Sequence, residues 1–546
     1  MAFEVVAKDL LGRIGRLHTK RGTVETPVLL PVVNPLLQPI PAREMKERFG
    51  CTAIIANAYL LKKNFGERVS YRGVHDFLDF DNVVMTDSGA YQILVYGGVE
   101  VSQEEIIAYQ ESIDTDVGVI LDIPTGGEST REKAEYSVVE TLRRAKAAQD
   151  MITRRDILWV GPIQGGNHLD LVVRSAKEMG KLSFPVHALG SPTQVMEQYH
   201  FDYLVDMTIE AKRNLPVERP LHLFGAGHPF MLALAVAMGC DIFDSAAYAI
   251  FAREGKYMTE YGTERLSGLK YLPCTCSVCS RYTSRELASL EPEERTRALA
   301  RHNLGACFSE IRRIKQAIRE GRLWELVEVR ARSHPSLYQA FKALGKYGNL
   351  LEENAPVIHS RGLFYFGSTG LARPEVVRHR RKMAAWPTRP ASVLVMLPEP
   401  GSRPFHRSRE LRRVRSMLKR RLGDGAKGLA FCVYAPPFGV TPLELDETYP
   451  LSQYEASSPL DVETREYVSG EAARYVNLHG RQYRGVVVYA SGELGRDLAG
   501  RLGGDDISQS SISVVANEGR TWSREALSAL AERVEEVFRD SGTEYS

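Results

Sequence analysis

Asp87 and Asp244 each stand where an apolar, β-rich run stops, in NVVMTDSG and DIFDSAAY. Two carboxylates presented to one substrate can break and remake a glycosidic bond with retention, one attacking the anomeric carbon and the other moving protons. Around Asp87 the string TDSGAYQ adds the hydroxyl of Ser88, two small residues that permit close approach, and the ring of Tyr91. That set suits a flat heteroaromatic base. A carboxylate accepts from the ring and exocyclic N–H groups of a guanine-like edge, Gln164 can donate to its carbonyl, and an aromatic ring can stack on its face.

The string CTCSVC supplies Cys274, Cys276 and Cys279, with His302 further along the chain. Three thiolates and one imidazole fill the tetrahedral shell of zinc and leave no open position for water, which favours a structural over a catalytic ion. Cys307 is a further thiol nearby and competes with His302 as fourth ligand. Iron–sulfur ligation is the lesser alternative, because it usually uses four cysteines.

These residues need a scaffold that brings distant strand ends together. Eight β-rich runs begin at Thr26, Thr52, Asn82, Val117, Ile157, Phe184, Leu221 and Asp241, with helix-length intervals between them. Eight strands alternating with helices predict an α/β fold, a (β/α)8 TIM barrel, with an open doubly wound sheet as the rival. In a barrel, chemistry gathers at the carboxyl ends of the strands. The runs end in Asn57, Asp87-Ser88, Asp122, Gln164, Gly190-Ser191, a GAGH turn from Gly225, and Asp244. Any one of these is often only a turn or cap residue, but three aspartates and a glutamine at four of eight strand ends converge on one mouth.

The chain has 546 residues, 44% apolar and 25% charged, which excludes a disulfide miniprotein, a mainly disordered chain and a membrane protein. The amino-terminal stretch has no apolar h-region, and the longest apolar run, FMLALAVAMGC, is too short to span a bilayer, so the expected location is cytoplasmic. The net charge of +2 conceals a segment, 361–421, with 16 basic and 3 acidic residues, followed by an acidic 422–546 with 11 against 20. A concentrated basic segment is what a polyanion requires. The expected organisation is a catalytic barrel over 1–360 with a zinc-binding subdomain at about 270–345, a basic accessory domain over 361–430, and an α+β accessory domain over 431–546. There is no Walker A loop, and the GxG at 225–227 lacks the rest of a dinucleotide fingerprint.

The strings TDSGAYQ, ILDIP, PIQGG, ALGSP, LFGAGHP, DIFDSAAY and CTCSVC with its later histidine, in this order, resemble the tRNA-guanine transglycosylases, specifically the archaeal type, over roughly residues 1–340. The resemblance implies a TIM barrel with a structural Zn2+, a homodimer, and exchange of guanine for 7-cyano-7-deazaguanine at position 15 in the D-arm of tRNA. By motif, Asp244 would be the nucleophile and Asp87 the proton-transfer residue. Ser88, Asp122, Gln164, Gly190 and Ser191 would bind the base edge, and Tyr91 and Phe224 would sandwich its plane. The alternatives are a paralogue acting on the already inserted base, as in archaeosine synthesis, and a non-catalytic tRNA-binding scaffold. Archaeal members usually end in a small basic RNA-binding module, which the acidic 422–546 does not resemble. Either a separate RNA-binding polypeptide supplies it or 361–421 does.

Overall fold

The eight runs do pair side by side and close on themselves. The computed structural model describes residues 2–90, 101–126, 129–387, 391–503 and 512–540. Its barrel strands are Val28–Val33, Ala53–Asn57, Val83–Asp87, Val117–Val119, Leu158–Ile163, Val186–Leu189, Leu221–Leu223 and Ile242–Ser245, each parallel to its neighbours. The last strand returns to the first with Asp244 opposite Leu30, which closes the ring and removes the open-sheet rival. Alternate residues point inward, so Leu30, Ile55, Met85, Val119, Val160, Ala188 and Ile242 fill the barrel axis. One polar strand end, Asn57, is also the start of the following helix. Asn57 caps Ala58–Phe65, and Ser102 and Thr130 cap Gln103–Ser112 and Arg131–Met151, each accepting from an otherwise orphaned N–H.

A three-stranded antiparallel sheet, Phe3–Asp9, Gly12–Thr19 and Gly22–Thr26, precedes the barrel and had no counterpart in the eight expected runs. It contributes Phe3, Leu17 and Val24 to the axial core. Because it leads directly into the start of the first barrel strand, it plugs the end opposite the carboxyl mouth. There Arg13 makes a buried two-pronged ion pair with Asp241, at 2.7 and 2.9 Å. Breaking such a pair from one side strands a charge in the core, at a cost of roughly 3–5 kcal/mol. After the eighth strand come a hairpin, Lys256–Thr259 with Gly262–Arg265, and four helices, Ser284–Ser289, Pro292–Glu320, Leu323–Ala331 and Pro335–Gly345. They belong to the same compact unit, which covers 1–346 and 354–356.

The second unit covers 347–353 and 357–546. Its five-stranded sheet runs in the order Gly439–Pro442, Leu429–Ala435, Val393–Pro398, Gly485–Ser491, Ile512–Asn517, with only the Gly439–Pro442 edge antiparallel. Helices pack on both faces. Val462–His479 and Gly492–Leu502 cover a core containing Leu394, Met396 and Val486, while Arg409–Leu422 and Arg524–Asp540 cover one containing Val395, Val433 and Val487. The boundary expected at 430/431 therefore falls inside a strand. Val393–Pro398, from the basic segment, is bonded on both sides to strands that lie mainly or wholly beyond it, so 361–430 and 431–546 share one sheet and are not separate domains.

Candidate active site and metal centre

The carboxyl ends of the barrel strands open into a cavity of about 1020 Å³. Asp87, Ser88, Asp122, Gly190, Ser191, Phe224 and Asp244 all line it. Tyr91 lies outside the described residues. Asp244 is held through one oxygen, Oδ1, which accepts from His222 Nε2 and from the Gly225 backbone N–H, each at 2.9 Å. Among the described residues Oδ2 accepts no hydrogen bond. Gly225 adopts φ +70°, a conformation that favours glycine and turns its N–H toward the carboxylate.

His222 was not among the expected site residues. It is fully buried, projects inward below Asp244 and meets the Phe224 ring edge-on at 4.6 Å. Its mark in the sequence is an ionisable residue inside the apolar run LHLF, two positions before Phe224 and hence on the same face of the strand.

Asp87 Oδ1 accepts from Asn57 Nδ2 at 2.9 Å and from the Gly89 N–H at 2.7 Å. Burial nevertheless pushes its pKa up to about 7, with the charges of Asp244 and Asp122 adding to the rise. Burial also lifts Asp122 to about 6, against the opposing hydrogen bond from Gln164. Carboxyls that keep a proton near neutrality are suited to moving one.

Gln164 is fully buried behind the cavity wall. Its Nε2 donates to Asp122 at 2.5 Å, and its Oε1 accepts from Thr125 N–H, Thr125 Oγ1 and Ser191 Oγ at 3.1, 2.9 and 3.2 Å. Gln164 thus orients Asp122 and Ser191, whereas the sequence placed it against the base itself. Gly190 is there for space. A Cβ at that position would sit 2.1 Å from Gln164 Nε2, and its N–H is engaged by Ile163 O at 2.8 Å.

The second constellation is also assembled. One ligand atom each from Cys274, Cys276, Cys279 and His302 lies within 4.8 Å of the other three, so the cluster could hold a metal ion. His302 Nε2 donates to Met258 O at 2.9 Å, which fixes the ring and turns Nδ1 toward the thiols, 3.5 Å from Cys276 Sγ and 3.4 Å from Cys279 Sγ. Tetrahedral zinc with bonds of about 2.3 Å to sulfur and about 2.05 Å to nitrogen separates those atoms by roughly 3.5 Å. Cys307 is not a ligand. It is buried elsewhere on the same helix and donates to Gly227 O. Tyr257 is buried at this centre, stacked 3.6 Å from the His302 ring with its hydroxyl 3.2 Å from Cys279 Sγ.

The fold and site are thus a closed parallel barrel that gathers three aspartates at one cavity and carries a Cys3His cluster. Comparison with known proteins makes the assignment specific. The family model described as queuine tRNA-ribosyltransferase matches residues 9–336. Proteins named tRNA-guanine(15) transglycosylase are similar to the chain in Pyrobaculum aerophilum (45% identity over 461 residues, 84% of this chain and 90% of that protein), Methanocaldococcus jannaschii (42% over 472, 85% and 70%) and Aeropyrum pernix (49% over 379, 69% and 74%). The chain belongs to the tRNA-guanine transglycosylase family, in its archaeal type. A model described only as a domain of unknown function, DUF5591, matches 376–534.

Proposed function

We propose that the protein exchanges guanine at position 15 of tRNA for 7-cyano-7-deazaguanine through a covalent ribosyl–aspartyl intermediate. The observation that carries this reading is the convergence of Asp87, Asp122 and Asp244 with Ser88 and Phe224 on one cavity. The Asp244 carboxylate attacks C1′ of the target nucleotide as the bond to guanine breaks. Asp87 gives its proton to the departing base, so guanine leaves neutral. The 7-deazaguanine then enters, Asp87 takes its N9 proton, and N9 attacks C1′ from the face guanine left, releasing Asp244. Two inversions give net retention. The bond formed nearly equals the bond broken, so the exchange requires no nucleotide cofactor. Asp122 and Ser88 hold the base edge, Phe224 covers its face, and Gln164 keeps Asp122 in place.

The Cys3His cluster is read as a structural Zn2+ site. The ion would tie the loop of Cys274–Cys279 to the helix bearing His302, next to the hairpin that follows the eighth strand, and would supply folding free energy rather than chemistry. No helix among the described residues is long and apolar enough to cross a membrane.

The test is incubation with an unmodified tRNA transcript and radiolabelled guanine, then 7-cyano-7-deazaguanine. The expected result is incorporation of guanine into the transcript, displacement by the cyano base, and no incorporation when position 15 is adenine. Absence of incorporation into any tRNA would remove the reading.

A further inference from the structure

Seven of the sixteen basic residues in 361–421 are paired with carboxylates inside the second unit. Arg378 and Arg381 both reach Glu352, Arg380 pairs with Glu471, and Arg407 with Glu447. Arg373 pairs with Glu375, Arg403 with Glu399, and Arg421 with Glu532 and Glu535. The residue of the charge is concentrated on one helix, Arg409–Leu422. Arg409, Arg412, Arg413 and Arg420 line a groove of about 450 Å³ together with Arg524, which comes from the amino-terminal turn of the closing helix Arg524–Asp540. Among the described residues none of these five guanidinium groups forms an ion pair.

We propose that this groove binds the phosphate–ribose backbone of the tRNA. The inference rests on the reading of the barrel as a tRNA enzyme and goes beyond it, since it assigns a binding site to a segment matched only by a model of unknown function. Residues 409 to 420 span three turns, about 16 Å of helix axis, with their side chains along one face. A stripe of that length meets several successive phosphates. Guanidinium groups bind phosphate bidentately and are less strongly hydrated than ammonium, which suits them to a groove.

Like charges three and four residues apart disfavour the free helix, and cations near a helix amino terminus meet the positive end of its dipole. An anion seated in the groove relieves both. The one acidic residue in the first turn, Glu410, lies toward Gly401, 3.7 Å from where a Cβ there would be. The wall supplied by Arg524 also gives a role to part of the acidic tail. Its carboxylates Glu532 and Glu535 neutralise Arg421 and so confine the open charge to the groove. Base extrusion from a folded arm needs binding energy away from the reacting nucleotide, and phosphate contacts of this kind supply it.

The experiment compares the full-length protein with an Arg412→Ala/Arg413→Ala/Arg420→Ala variant on an unmodified tRNA transcript across a salt series. The proposal expects the Kd to rise about tenfold or more at physiological salt. It expects the slope of log affinity against log salt to fall by roughly two, and KM for tRNA to rise while kcat at saturating tRNA stays within about twofold. An Arg421→Ala control leaves all of these unchanged, and a triple Arg→Lys variant recovers most of the salt slope. If the wild type exchanges guanine and the triple Ala variant keeps the same Kd and slope, the groove is overturned alone. If the wild type neither binds tRNA nor exchanges guanine, the functional reading falls and takes the groove with it.

Discussion

The two units are both built from parallel strands flanked by helices, yet they hold their polar residues in opposite ways. In the barrel the carboxylates stand at strand ends around one cavity, and burial moves Asp87 and Asp122 toward neutral pKa values. In the second unit the unpaired charges lie on the outer face of a helix whose inner face, Leu411, Val414 and Leu418, is core. On the proposed reading, desolvation prepares Asp87 and Asp122 for proton transfer, whereas the exposed arginines make salt-sensitive contacts. The barrel should therefore govern kcat and the second unit KM.

The largest break in that division is Asp244→Asn. Removing the proposed nucleophile should lower exchange on the order of 10⁴-fold or more in single-turnover assays, with tRNA affinity, read by filter binding, unchanged. Asp87→Asn comes next, with a loss of about 10²–10⁴-fold and a diagnostic pH signature. Because burial raises Asp87 to about 7, the folded protein holds a proton that the unfolded chain releases near pH 4. Stability from this group is present below pH 4 and is lost as pH rises through about 7. Scanning calorimetry should thus find Asp87→Asn melting above the wild type at pH 8, with the difference gone at pH 4.

His222→Phe keeps a ring in the barrel but removes the donor to Asp244 Oδ1. A fall in kcat of about 10²-fold without change in tRNA KM is expected from a misaimed nucleophile, and His222→Gln, which retains an N–H donor, should recover part of it in the same steady-state assay. Cys276→Ser should reduce bound zinc, measured by atomic emission, and lower the melting temperature of the catalytic unit, with exchange falling only as the folded fraction falls. Gly190→Ala is the mildest. The new methyl must push Gln164 off Asp122, so KM for the incoming base should rise about tenfold with tRNA affinity intact.

What the sequence made legible follows the same division. All eight barrel strands were legible from their apolar runs, and the polar residues that stop some of those runs are what singled out Asp87, Asp122 and Asp244. Residues whose partners lie far away in the chain were not legible. Gln164 sits at a strand end like the others, but it faces Asp122 and Thr125 instead of the cavity. Tyr257 follows Asp244 closely in sequence yet stacks on His302. Asp241 and Asp244 share one run, but three residues of strand carry Asp241 to the plugged end, where Arg13 holds it. The amino-terminal sheet was missed because its strands, FEVVAKD and GRIGRLHT, mix charge with apolar residues on one exposed face. Charge counts located the basic segment, but only the ion pairs reveal which of its arginines are already used.

The central claim is that Asp244 becomes covalently attached to ribose while Asp87 moves the proton. Its most direct test is to incubate the protein with end-labelled tRNA, denature the mixture during turnover, and resolve RNA from protein on a denaturing gel. The account predicts a labelled protein band with the wild type that is chased by added 7-cyano-7-deazaguanine and is absent with Asp244→Asn. A band of equal intensity in Asp244→Asn, or exchange by the wild type with no adduct formed at any time, would contradict it.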